Sequence, residues 1–289
     1  MKKILIVLTI VATAFAGCKK DPEPVKGCMD PNSLTFNSEA TEDDGSCQYI
    51  EKVNRAAYIH FTEDWCGPCG KYGGPTFDSC LKSFEGTQIT CMKVYEGSNT
   101  ASLNNSYATL MENGSNYNLT SIPTMTVNSF TSGVYSSLST NYNFVRGKAN
   151  AFALEPVVAG VHLSKSIDGS NMNVTANMKF FSAVPAGKDY RLAIYVLEDN
   201  VIAPQVVSGV SGNVLNYVHR NVWRATNGTD YKGVKINASA AISADQRFDQ
   251  SASISLLSNW NKSNLKVMAI IWDVPASGKP TVVNSNVVK

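Results

Sequence analysis

The chain has 289 residues, of which 44% are hydrophobic, and its 25 basic against 23 acidic side chains leave a net charge of only +2. That length and apolar content suffice for two domains with true cores, and the near balance of charge, without a basic patch interleaved with aromatics, argues against nucleic acid as a partner. No glycine-rich phosphate loop, serine nucleophile elbow or histidine-rich metal run occurs, which argues against nucleotide and serine acyl-transfer chemistry and against a histidine-built metal site.

The first residues fix the compartment. Lys2-Lys3 precede an apolar stretch from Ile4 to Ala16, and Ala16-Gly17-Cys18 closes it. A spanning helix needs ~20 apolar residues, so this stretch predicts a cleaved leader, not a membrane span. Ala-Gly-Cys resembles a bacterial lipobox, although Phe15 stands where leucine is usual. Residues 1–17 are therefore expected to be a lipoprotein signal peptide and Cys18 the lipidated N-terminus. The polar, proline-rich residues 18–26 then form a tether to the membrane. Residues 27–48 form a small module with Cys28 and Cys47 at its ends, and turn chemistry at Asp30-Pro31 and Asp44-Gly45. Its acidic residues Asp30, Glu42, Asp43 and Asp44 lack the ligand spacing of a calcium loop and read as a solvated turn.

Ala56 to Phe61 is an apolar run that predicts a buried strand, and Trp65-Cys66-Gly67-Pro68-Cys69 follows it. Pro68 suits the first turn of a helix expected to run to about Phe84. A thiol at a helix N-terminus faces unpaired amides and the positive end of the helix dipole, so Cys66 is expected to be an acidic nucleophile. Cys69, one turn deeper, is placed to resolve a mixed disulfide. Gly70, Gly73, Gly74 and Pro75 weaken the helix that follows. A strand is expected over Ile89 to Tyr95, helix-compatible sequence over Ala101 to Tyr117, a strand at Met125 to Val127, and a loop or hairpin from Thr131 to Asn143. Beyond residue 155 the pattern alternates with period two at Met172–Phe181, Tyr190–Leu197, Leu215–Arg224, Ser251–Leu257 and Leu265–Val274. Strands separated by polar turns predict an antiparallel sandwich.

Trp-Cys-Gly-Pro-Cys is similar to the active-site motif of the thioredoxins, and Ser121-Ile122-Pro123-Thr124 is similar to their second motif. The resemblance implies that Pro123 is cis and that the backbone of Ile122 pairs with an extended substrate segment. His60 occupies the position where thioredoxins usually carry a buried Asp that assists proton transfer; a base role for His60 and a plain buried imidazole are both open. The expected architecture is an α/β thioredoxin-like domain over residues 50–150 followed by an all-β antiparallel sandwich domain over 155–289. The leader, this domain and tail stretches such as Tyr190–Asp199, Tyr217-Val218-His219-Arg220 and Ser258-Asn259-Trp260-Asn261 together resemble the Omp28-related outer membrane lipoproteins. That resemblance implies a cell-envelope, outer-membrane location. His219 and Arg220 read as outward positions on a strand.

Seven cysteines are an odd number for an exported chain. With Cys18 lipidated, six remain, and fifteen connectivities are open to them. Proximity in sequence suggests structural bonds Cys28–Cys47 and Cys80–Cys91 beside the redox pair Cys66–Cys69. Two separate buried thiols at Cys80 and Cys91, or a zinc site built from Cys66, Cys69, Cys80 and Cys91, are the alternatives. Two functions follow. One is a membrane-anchored thiol–disulfide oxidoreductase with Cys66, Cys69 and His60 as its chemistry and Trp65, Pro68, Ile122 and Pro123 around the substrate. It needs no cofactor beyond its redox-active disulfide, acts on proteins carrying thiols or disulfides, and is recharged by a membrane reductant or oxidant. The other is a surface binding or adhesion lipoprotein in which Cys66–Cys69 is structural.

Overall fold

The computed structural model describes residues 23–112, 117 and 119–289. The leader and the lipidation site Cys18 lie outside the described residues. The chain divides into two compact units, up to Tyr49 and from Ile50 onward.

In the first unit, β1 (Lys26–Gly27) pairs in parallel with β2 (Glu42–Asp43). Little is buried there beyond Cys28 and Ser33, so the Cys28–Cys47 disulfide does the work a core would do. Such a loop closure contributes about 3 kcal/mol in the chain-entropy model. Asp30 organises the turn: its carboxylate accepts from the Asn32 amide at 2.8 Å and from the Tyr49 hydroxyl at 2.8 Å.

The second unit is mostly β-sheet with few helices. It opens with β3 (Ala56–Phe61), a π-helical turn (Cys69–Gly73), α1 (Gly74–Phe84) and β4 (Ile89–Val94). Then come α2 (Ala108–Glu112), β5 (Thr124–Val127), β6 (Phe130–Gly133) and α3 (Leu138–Ala153). The remainder is strands: β7 (Ala159–Asp168), β8 (Asn171–Phe180), β9 (Tyr190–Glu198), β10 (Val201–Val206) and β11 (Asn213–His219) lead to β12 (Val222–Thr226). The last are β13 (Val234–Lys235), β14 (Arg247–Ser255), β15 (Leu265–Asp273) and β16 (Thr281–Val288).

One nine-stranded sheet runs β16-β15-β9-β12-β4-β3-β5-β6, with β13 also paired to β9. β3 and β4 are parallel, with His60 opposite Lys93, and β5 and β6 continue antiparallel. β12 lies parallel to β4 at Val222 and Lys93 and antiparallel to β9, so strands from beyond residue 190 extend the sheet begun at Ala56. The boundary read near residue 150 falls between α3 and β7, within this compact unit.

Alternation places the core. Leu192, Ile194 and Val196 on β9 and Val267, Ala269 and Ile271 on β15 face the three-stranded sheet β14-β8-β7, whose Val174, Ala176, Met178 and Phe180 close that layer. The intervening Ala193, Tyr195, Leu197, Ile270 and Trp272 fill a second cluster with Ile59, Phe61 and Met92. A third layer puts α1 and α3 over the opposite face of β3 and β4, around Tyr58, Phe77, Ile89, Val145 and Ala149. Strands buried on both faces read as apolar runs, which is the pattern of β9 and β15.

Three sequence expectations are corrected. The segment Thr131 to Asn143 is not all loop or hairpin: after β6 the chain enters α3, capped by Ser137, whose hydroxyl accepts from the Thr140 amide. The helix after the motif begins with a π-helical turn and becomes α-helical only at Gly74. Cys80 and Cys91 form no disulfide; each is a free thiol packed as a small apolar group in the third layer.

Candidate functional site

Cys66 and Cys69 form a disulfide at the entrance to the helical segment. Cys66 is 6% exposed and Cys69 2%, so the first sulfur-bearing residue is the more accessible of the two. The Cys69 amide donates to Cys66 Sγ at 3.2 Å, and the Gly70 amide to the Cys66 carbonyl at 3.2 Å. Trp65 stands at the rim, 48% exposed, with Nε1 donating to the Gly97 carbonyl at 2.9 Å.

Two carboxylates that sequence reasoning passed over hold this loop. Buried Glu63 accepts from the amides of Glu96 and Gly97 at 2.8 and 2.9 Å through Oε1, and from the Ser98 hydroxyl through Oε2. Buried Asp64 accepts from the amides of Asn99 and Thr100 at 2.8 and 2.7 Å. Through these bonds the two acids lock the strand-to-motif loop onto the loop after β4. An acidic pair immediately before the motif was the only sequence signal available.

Beneath the motif lies a buried polar layer. His60 is fully buried, and neither ring nitrogen has a hydrogen-bond partner. Burial, and secondarily the charge of Lys93, hold its pKa well below the ordinary value, so it is a neutral imidazole. A methyl group at Gly73 would stand 2.8 Å from His60 Nε2, so the imidazole packs directly under the π-helical turn. Lys93 is itself buried, with Nζ 4.8 Å from the centre of the Phe77 ring and 3.9 Å from Asp78 Oδ1; burial lowers its pKa and Asp78 opposes that shift. The Ile122–Pro123 peptide is cis, and Pro123 Cβ would lie 3.3 Å from a methyl at Gly73. His60 and Pro123 thus both pack against Gly73, at the end of the π-helical turn that begins at Cys69.

His219 does not point outward as expected. It is fully buried, with Nδ1 2.9 Å from the Tyr95 hydroxyl, and burial pushes its pKa down to about 4. Arg220 pairs with Asp199 through Nε and Nη2 at 2.5 and 3.0 Å. The free thiols are equally inward: burial pushes Cys80 up to about 12 and Cys91 well above its ordinary value. Among the described residues, no group of three or more His, Cys, Asp or Glu side chains is placed to hold a metal ion.

The neighbour above the motif comes from far along the chain. β10 and β11 pair only with each other, as a separate two-stranded sheet, with an irregularity at Pro204, which has no amide to donate. The Val206 amide donates to the Asp64 carbonyl at 2.7 Å and the Ser208 amide to the Gly67 carbonyl at 3.1 Å. Buried Gln205 directs its Nε2 to the carbonyls of Glu63, Asp64 and Cys66 at 3.2, 3.0 and 3.1 Å.

Residues 111–289 match the family described as "Outer membrane protein Omp28", well over half of the sequence. The chain belongs to the Omp28 family. Its place is thus the outer membrane of the cell envelope, the location that the leader and the lipobox-like Ala16-Gly17-Cys18 predict for a lipid-anchored chain. Among solved structures it is similar to HBP35 of Porphyromonas gingivalis, at 17% identity and a TM-score of 0.62, over 82% of this chain and 75% of that one. That likeness is one of fold. It is also similar to a domain of the outer membrane lipoprotein Omp28 from Porphyromonas gingivalis, at 16% identity and a TM-score of 0.30, over 47% of this chain and 89% of that one. No curated protein matches at the level of sequence.

Proposed function

We propose that this outer-membrane protein is a lipid-anchored thiol–disulfide exchange protein, with a thioredoxin-like arrangement over residues 50–150 and a β-sandwich-like remainder. One observation carries the reading: the Cys69 amide aimed at Cys66 Sγ at 3.2 Å, at the start of a helical segment. When the bond is reduced, that amide and the helix dipole stabilise a thiolate at Cys66, the species that attacks and leaves in exchange.

In the oxidising direction a client thiolate attacks Cys66 Sγ. The Cys66–Cys69 bond breaks, and its electron pair leaves on Cys69, which takes up a proton. A second client thiolate then displaces Cys66 from the mixed disulfide. Two electrons and two protons have moved from the client dithiol to Cys66 and Cys69, and the client gains a disulfide. The reducing direction is the reverse, with a membrane redox partner restoring the starting state. In the oxidising direction the proton on Cys69 comes from the client thiols; in the reducing direction, where Cys69 must lose a proton to attack the mixed disulfide, neutral His60, unpartnered under the π-helical turn, is the proposed acceptor. Trp65, Pro68, Ile122 and Pro123 shape the surroundings of the sulfurs. Clients are proteins with thiols or disulfides, and Cys18 anchors the chain to the membrane.

The burial of both sulfur-bearing residues favours a second reading, a structural disulfide inside an envelope binding protein. The reduction potential separates the two. Equilibration of the full chain in detergent with dithiothreitol or glutathione buffers should place the pair between about −270 mV, the value of reducing exchange proteins, and about −120 mV, that of strong oxidants. A value below about −300 mV would make the bond structural and overturn the exchange reading.

A further inference from the structure

Three glycines of the motif loop and its helical turn face the hairpin β10–β11. A methyl group at Gly70 would stand 2.4 Å from the Val206 carbonyl oxygen, and one at Gly74 would stand 2.0 Å from the Tyr217 hydroxyl. Gly67 would meet Ser208 Oγ at 2.7 Å. At Gly70 the clash is with main chain and leaves no room for a side chain, and at Gly67 and Gly74 a side chain would have to displace the Ser208 or Tyr217 hydroxyl, so these three glycines give the hairpin clearance on the disulfide loop. The contact is held by main-chain hydrogen bonds from Val206 and Ser208, by the Gln205 amide, and by the Tyr217 hydroxyl donating to the Gly70 carbonyl at 3.4 Å.

The hairpin is anchored unequally. At its base, Ala203 packs with Tyr95, Leu103 and Val222, and His219 bonds to Tyr95. Beyond the base it joins no other sheet, and its outer face carries solvent-exposed Ile202 and Leu215. The end that touches the disulfide loop is held mainly by polar contacts at Gln205, Val206, Ser208 and Tyr217, with Val207 beside Gly70 and the Tyr217 ring beside His219, while the base packs in an apolar cluster.

We infer that the segment Gln205–Tyr217 is a built-in cover over the Cys66–Cys69 disulfide, and that an attacking thiol reaches Cys66 only when this segment lifts from Asp64 and Gly67. The Asp64 and Gly67 carbonyls, released from Val206 and Ser208, then form an edge on which an extended client segment can make the same main-chain bonds. This use of the edge rests on the exchange reading; the cover itself does not.

Stopped-flow reduction of the full chain in detergent by dithiothreitol tests the cover, with the Cys28–Cys47 bond of the N-terminal unit as internal control. Gln205→Ala is expected to speed reduction of Cys66–Cys69 about tenfold or more, and Tyr217→Phe less, with the control rate unchanged. Equal rates in all three proteins would overturn the cover. Hydrogen exchange of the unsubstituted chain guards against a misfolded variant. Val206 and Ser208 amides should exchange far faster than those of β9 and β15, whereas equal protection would mean that the segment opens only on global unfolding and would overturn the proposal. The potential separates the two ideas: a structural value with accelerated variants leaves the cover standing and removes exchange, and an exchange-range value with unmoved rates does the opposite.

Discussion

Two pairs of cysteines lie within one stretch of thirty residues, and they differ in everything but their sulfur. Cys66 and Cys69 sit where a loop becomes a helical turn, beside an amide aimed at sulfur and under a hairpin held by polar contacts. Cys80 and Cys91 sit in the apolar layer between α1 and the sheet, where burial pushes both pKa values up and at Cys91 outweighs the opposing pull of Lys266. Placement on the fold, more than the presence of a thiol, decides which sulfur is chemistry and which is filling.

The largest effect expected from this contrast is at Cys66. Cys66→Ser should abolish disulfide exchange with a dithiol probe, while Cys80→Ala should leave its rate unchanged; loss of exchange in Cys80→Ala would erase the distinction between the pairs. Next comes alkylation of the reduced chain. At pH 8 a thiol held at about 12 is thiolate in about one molecule in 10⁴, so iodoacetamide should label Cys66 and leave Cys80 and Cys91 unmodified until denaturant is added. Mass spectrometry of the labelled peptides reads this directly.

The polar layer under the motif sharpens the comparison through pH. His219 titrates at about 4 when folded, against an ordinary value of 6.5, and His60 is also lowered. The unfolded chain therefore binds protons first as pH falls through about 6.5, and each group's stabilisation drains away down to its folded pKa. For His219 that loss approaches about 3 kcal/mol by pH 4. Partly buried Asp78, whose pKa desolvation raises, opposes this at the acid end because its folded form takes up a proton more readily. Thermal unfolding between pH 7 and 5 should show a falling midpoint, and His219→Asn should flatten the fall; a flat profile in the unsubstituted chain would mean that neither imidazole is held neutral.

Much of this was legible in the sequence. Period-two alternation gave β8, β9 and β15, because strands packed between sheets must alternate or run apolar. The motif loop was legible because its chemistry is local. The elements missed are those whose reasons lie elsewhere in the chain. α3 carries Asn141, Asn143, Gly147 and Asn150, all weak helix formers, and packing at Val145 and Ala149, more than its own pattern, makes it a helix. β10 carries Pro204, which argues against a strand until the irregularity that accommodates it is seen. The glycines after Cys69 read as helix breakers because the Val206 and Tyr217 atoms that require them lie about 140 residues downstream. Cys80 and Cys91 are close in sequence, which suggested a bond, but their environment is one that suits two buried thiols.

The smallest expected effect lies at the rim and tests how far the loop's geometry depends on it. Trp65 Nε1 donates to the Gly97 carbonyl, yet half of the ring is in solvent and the Gly97 amide is already held by Glu63. A hydrogen bond at an exposed site contributes about 0.5–1.5 kcal/mol, and here the carbonyl left behind can bond water. Trp65→Phe should therefore cost no more than about 1 kcal/mol in denaturant unfolding. Glu63→Gln should cost more, because it removes a carboxylate that gathers two amides and a hydroxyl in a buried position. If Trp65→Phe proved the costlier of the two, the loop would hang on its exposed aromatic ring instead of on its buried acids, and the disulfide would owe its placement to the surface.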